Sequence, residues 1–439
     1  MKRYKEFDLG VGLSRKWNAK EAGREVAENT LKKLGHNPSF FVLIATIHYE
    51  KHGGFQEFLN GVWEVLPEGT PLVGGTVTGF ITSEGCFTRG AAAWAGYYEH
   101  MDVAVGFGKN TKRHPFLAGK TCGNKIRSAL RHSSYQKKMV FNFIAGGLYL
   151  KVPGIGLAKV IKGRLIPKIY DYFFHIFEIF LQKGVGREIE VLSGLKDQLT
   201  DYYVIGGSCN DDNNYMSNYQ FYNRKVFVNA VVSLGISTDL NGSLHGGHGL
   251  DKKGKTLNIT KKGWKGYIIK EINGIPATEC YLREVGWSKE LLNEKINEKT
   301  PFFPFGTRDE HGVLYPYPVA IFLGDYLVFS HNIINDEIQL MDTSGKKLIQ
   351  AIDETIQEMD VTNTLFGFAV SCCARLQTLG KNIYQTQQKM KTFFDDDFLV
   401  IYTMGEHRGF PNKNAYQLQE SFNLLSINEK KGYKKEKLG

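Results

Sequence analysis

One pattern constrains this chain more than any other: an apolar, β-rich run that stops abruptly in glycine or polar residues, and it occurs three times. FFVLIATI (40–47) leads through a helical stretch to PLVGGTVTGFI (71–81). KMVFNFIAGG (138–147) is followed, after a long basic segment, by YYVIGGSCNDD (202–212). TLFGFAVSCCAR (364–375) leads through a helix to FLVIYTMGEHRG (398–409). Continuous apolar runs of this length read as strands buried on both faces. Strands alternating with helices predict mixed β-sheets flanked by helices, an α/β (mixed α+β) fold. The repeat is strand, helix, strand with a polar end, then a further strand: AAAWAGYYE (91–99) and DVAVGFG (102–108), VFVNAVVSLGIS (226–237), and QESFNLLSI (419–427) supply the last element.

The helices have their own signals. Asn18 can cap a helix that runs to about Leu34, with Glu21 reaching back, and Gly35 stops it. FQEFLNGVWEVL (55–66) and QTQQKMKTFF (385–394) read as further helices. LIPKIYDYFFHIFEIFLQ (165–182) carries Lys168, Asp171, His175 and Glu178 on one helical face. That stripe makes it an amphipathic helix rather than a membrane span, expected to pack on its own domain, with a homodimer contact over 155–182 or an interfacial membrane helix as alternatives.

With 439 residues, and roughly 100–200 per domain, the chain has room for two to four domains. A boundary is expected near 238–250, where STDLNGSLHGGHGLDKKG breaks both periodicities. This divides the chain into 1–238, with a basic and amphipathic insertion at about 110–190, and 239–428, followed by a lysine-rich tail at 429–439. Asn273-Gly274 between strand-like runs signals a tight turn.

Charge and cysteine usage narrow the function classes. The net charge of +10 favours anionic ligands, but no nucleic-acid module is recognisable, and nucleic acid is not expected as a partner. The six cysteines, Cys86, Cys122, Cys209, Cys280, Cys372 and Cys373, are sparse and form no C-x-x-C pair. They suit reduced thiols in a cytoplasmic protein. MKRYKEFDLG has no apolar stretch after its charges, so a signal peptide is not expected. His245 and His248 lie three apart in a glycine loop without an acidic or cysteine partner at finger spacing, so no metal site is expected.

The polar strand ends supply the candidate binding residues, because ligand sites in open α/β sheets sit at strand termini. Arg375 can clamp a carboxylate, and Cys372 can hold a thiol beside that charge. Glu406, after Gly405, can bind a ligand amine or pair with Arg375. Gly75 and Thr76 belong to a glycine-rich strand end whose amides can receive an anion, with close strand packing as the structural alternative. Gly207, Ser208 and Asp211 read similarly, with an Asx turn as the alternative for the aspartates. No phosphate loop, dinucleotide fingerprint or Gly-x-Ser-x-Gly elbow is present. No catalytic residue is assigned, although Cys372 would be the nucleophile of a cysteine-dependent enzyme.

The same segments resemble the FIST family, which has an N-terminal and a C-terminal module. LGVGLS (9–14), VGGTVTGFI (73–81), IGGSCNDD (205–212) and the strand pair at 219–237 resemble N-module motifs. His248-Gly249 with Ile259-Thr260, EINGIPATECY (271–281), SCCARLQTLG (371–380) and YTMGEHRG (402–409) resemble C-module motifs. The order is correct across nearly the whole chain. Phe80 stands where the family often has Glu, Asn273 replaces an Asp, and the segment at 148–190 has no counterpart. The resemblance implies an intracellular signal-input protein that binds a small molecule such as an amino acid and acts through a separate signalling partner. Some relatives look like haem-based nitric oxide sensors. A haem would need an axial histidine, for which His248, His311 and His331 are the candidates.

Overall fold

The computed structural model describes residues 7–148, 159–163, 168–169, 180, 184, 186–359 and 364–429. The helix expected over 165–182 lies outside the described residues except at Lys168, Ile169 and Phe180.

The fold is mixed α/β, and the repeat seen in the sequence is its organising unit. In the first sheet Phe7–Ser14 pairs with Ala91–Tyr98, which pairs with Phe40–Thr46, which runs parallel to Leu72–Val77. The second sheet repeats this order with Met101–Lys109, Ala230–Thr238, Lys137–Ala145 and Tyr203–Cys209. The third repeats it with Asn241–Gly247, Phe422–Asn428, Thr364–Cys372 and Phe398–Thr403. Pairing directions are the same in all three.

Each sheet is completed by a hairpin from another repeat. Gly79–Thr82 and Gly85–Phe87 extend the third sheet. Gln220–Tyr222 and Lys225–Phe227 extend the first. Glu406–Gly409 and Ala415–Leu418 extend the second. The exchange is cyclic, so the halves on either side of the turn at 239–240 are interlaced by hydrogen-bonded strands.

The inner faces of the three sheets share one core. Trp94 stacks on Phe366 with ring centroids 4.4 Å apart and meets Phe141 edge-on at 5.2 Å, while Phe141 meets Phe368 at 5.4 Å. Aromatic side chains buried this way contribute about 1.5–3 kcal/mol each from transfer. The outer faces are covered by helices. Ala19–Leu34 and Phe55–Trp63 cover the first sheet, Pro115–Ala129 and Glu188–Gln198 the second, and Gly345–Gln357 with Ile383–Phe394 the third. Burial on both faces is why these strands read as unbroken apolar runs. Asn18 caps the first helix by accepting from the Glu21 amide at 3.1 Å, and Gly35 ends it at φ 77°.

Between Asn241–Gly247 and Gly345–Gln357 the third repeat carries an extra unit. Its strands, from Asp251–Lys262 to Glu337–Asp342, form a further sheet around the helix Ala277–Val285 and a separate core. Asn273 and Gly274 make the expected turn, both with positive φ. Val160–Ile161 joins this sheet alongside Val319–Leu323. Among the described residues no helix is long and apolar enough to cross a membrane.

Candidate functional site

At one end of the shared core the third strands of the three repeats meet backbone to backbone. The Asn210 amide donates to Thr76 O at 3.1 Å, the Thr78 amide to Tyr402 O at 3.0 Å, and the Ser208 amide to Gly405 O at 2.9 Å. Met404 N returns a bond to Ser208 O at 3.2 Å. The glycines at these joints are demanded by close approach. A Cβ on Gly75 would collide with Cys209 Sγ and lie 2.9 Å from the Tyr219 carbonyl oxygen. A Cβ on Gly207 would collide with the Thr403 side chain. Gly75 and Gly207 thus follow the packing alternative. Thr76 accepts the Tyr219 amide on Oγ1 at 3.1 Å. Asp211 accepts the amides of Tyr215, Met216 and Ser217 at 2.7, 2.7 and 3.1 Å, so it organises its own loop as an Asx turn does.

The joint between the second and third sheets is different, because polar side chains gather behind it. Ser208, Gly405, Glu406 and Cys372 come together there with two glutamines that the sequence reading missed. An imagined Cβ on Gly405 would lie 2.8 Å from Gln417 Nε2, 3.2 Å from Gln419 Nε2 and 3.2 Å from Ser208 Oγ. Gln417, Gln419 and Met404 line a cleft with Glu188, Tyr215 and Ser330. The cleft is narrow, with a cavity volume of about 10 Å³. Glu188, Gln417 and Gln419 are each more than nine-tenths buried. Glu188 Oε2, Gln417 Oε1 and Gln419 Nε2 nevertheless have no hydrogen-bond partner. Orphaned buried polar atoms are uncommon and costly.

Behind the cleft lies an acidic, poorly solvated layer. Glu406 is fully buried and accepts from Ser421 N at 3.1 Å and Ser421 Oγ at 2.9 Å through Oε2, while Oε1 has no partner. Burial, then the neighbouring Cys372 thiol, holds its carboxyl well above the ordinary range. Burial raises Glu420 to about 8 despite the opposing charge of Arg375. Glu188 is raised by burial, against the pull of Lys112. The Cys372 thiol, against Gln419 Oε1 at 4.0 Å, is pushed well above its usual value by burial. A thiol held protonated is the opposite of what a nucleophilic cysteine requires.

Arg375 differs from its sequence reading in position. The strand expected over 364–375 ends at Cys372, and Arg375 lies in the helix Cys373–Leu379. Its guanidinium is fully buried and donates to the carbonyls of His248 at 2.9 Å, Leu348 at 2.8 Å and Glu420 at 3.4 Å. It forms no ion pair with Glu406 among the described residues; its terminal nitrogens tie three segments of the third repeat together. The histidines considered for haem are dispersed. His311 is exposed, His331 is buried against Tyr317, and burial lowers His248 and His331 to about 3. Among the described residues no three metal-ligating side chains cluster.

The FIST N domain family model matches residues 39–275, more than half of the chain. The chain belongs to the FIST family. FIST domains are signal-input modules of signal transduction. The match includes most strands of the first two sheets and runs past the turn at 239–240 into the extra unit. An uncharacterized protein of Methanocaldococcus jannaschii is 26% identical over 211 residues, covering 45% of this FIST chain and 40% of that protein. The match therefore spans less than half of that relative's length. Among solved structures, a cyanuric acid hydrolase aligns over 96% of this chain and all of its own at 7% identity and a TM-score of 0.36. The cyanuric acid hydrolase of A. caulinodans aligns over 53% of this chain and 71% of its own at 10% identity and a TM-score of 0.28. Both likenesses are too loose to bear on chemistry.

Proposed function

We propose that this FIST protein is a sensor that binds a small polar molecule in the cleft behind Ser208 and Gly405 and passes the bound state to a separate signalling partner. The observation that carries the reading is the convergence of Glu188, Ser208, Gln417 and Gln419 from distant parts of the chain around one cleft, with three buried polar atoms left unpaired. Such groups gain most from a ligand, because their desolvation is already part of the cost of folding. Glu406, Cys372 and Arg375 act as the wall that holds the cleft in shape. Thr76, Gly75, Gly207 and Asp211 fix the joints and loop around it. A cytoplasmic setting fits the six free thiols.

The test is a thermal-shift screen of the full chain against amino acids, keto acids, amides and nucleobases, with Gln419→Leu as the site control. A dose-dependent stabilisation lost in Gln419→Leu supports the reading. No stabilisation by any class, in protein that melts cooperatively, overturns it.

A further inference from the structure

Resting on that reading, we infer that the cleft selects an uncharged carboxamide or ureido group rather than a carboxylate. Gln417 Oε1 is an acceptor without a donor and Gln419 Nε2 is a donor without an acceptor, while burial raises the Glu188 carboxyl, whose Oε2 is also unpaired. One acceptor and one donor complement a planar C(=O)–NH₂ end, which offers an N–H and a carbonyl oxygen.

The charges point the same way. No Lys or Arg lines the cleft among the described residues. Lys112, the cation that acts on Glu188, spends its ammonium on the carbonyls of Ala145 at 3.3 Å and Gly146 at 2.9 Å. The terminal nitrogens of Arg375 are likewise turned to backbone carbonyls. Among the described lining residues a carboxylate would meet no cation, and burying an uncompensated charge is costly. The crevice has room for only about one water molecule, so a ligand has to push into it, and the Met404 thioether on its wall is the flexible part that yields to a flat group.

The experiment compares isosteric pairs on the full chain. Propionamide and methylurea are titrated against propionate, and glycinamide against glycine, by thermal shift and saturation-transfer NMR. The amides stabilise the protein and the carboxylates do not. Gln419→Leu and Gln417→Leu each weaken propionamide about tenfold, the loss of one buried hydrogen bond, while both variants still melt cooperatively. Carboxylates binding as well as their amides, and lost in Gln419→Leu, would overturn the amide selectivity and leave the cleft as the site. Amide binding unchanged in both variants would place it elsewhere and also overturn the inference. Silence from every probe, in this set and in the broad screen, removes the inference and the sensor reading together.

Discussion

The joint between the first and second sheets and the joint between the second and third are made by the same topological step, yet one is filled and the other keeps unpaired polar ends. At the first, Thr76 and Asn210 exchange a backbone bond, Thr76 Oγ1 takes the Tyr219 amide, Asn210 Nδ2 reaches Thr78 Oγ1 at 2.6 Å, and Cys209 Sγ packs onto Gly75. At the second, Met404 N donates the equivalent bond to Ser208 O, but long amide and carboxyl side chains stand behind it with partnerless ends. The repeat fixes where the joints fall. The side chains arriving from outside the repeat's regular strands decide whether a joint is filled or left with unpaired polar groups.

The sharpest way to break this contrast is to add a side chain at each joint. Gly75→Val meets the Tyr219 backbone oxygen, which cannot retreat, and should cost about 3 kcal/mol in chemical denaturation. Gly405→Ala meets the ends of two flexible glutamines and should cost about 1 kcal/mol while abolishing ligand-induced stabilisation. Equal costs would mean that the joints do not differ as described. Next, Arg375→Met strips three carbonyls of their donor and should lower stability by about 2 kcal/mol, read as the shift in denaturant midpoint.

The acidic wall gives a pH signature. Glu420 is raised from 4.5 to about 8 in the folded state, so between those values the native protein holds a proton that the unfolded chain has released. Stability is therefore full below about 4.5 and falls as pH rises toward 8, by at most about 1.4 kcal/mol per pH unit for this group. Glu420→Gln should flatten that slope in thermal melts at stepped pH. The smallest effect is expected from Gln419→Leu without ligand. Replacing an orphaned buried amide by an apolar group should change the melting temperature by no more than about 0.5 kcal/mol equivalent, in either direction.

Much of the fold was readable because it is built from local signals. The apolar runs at 40–47, 138–147 and 398–403, the Asn18 cap, the Gly35 stop and the threefold recurrence all rest on patterns within a few residues. The hairpin exchange was not readable, since the pairing of Phe80 with Ile401 leaves no mark at either position. Of the residues around the candidate cleft, Ser208, Gly405, Glu406 and Cys372 stood out in the sequence because they end apolar runs. Arg375 was misplaced because SCCARLQTLG has no marker for the change from strand to helix at Cys373. Gln417 and Gln419 were missed although they alternate with apolar neighbours in AYQLQ, a faint period-two signal. Glu188 starts a helix and lies within the 148–190 segment that has no family counterpart, where nothing singled it out.

The cyclic hand-off of hairpins also sets a timetable for synthesis. When residues 79–87 leave the ribosome, the strand that receives them, Phe398–Thr403, does not yet exist. The first sheet likewise waits for Gln220–Tyr222 to cover the edge of Leu72–Val77. Nascent protein must therefore carry bare β edges until its last quarter has been translated, the situation in which aggregation competes with folding and holdase chaperones matter most.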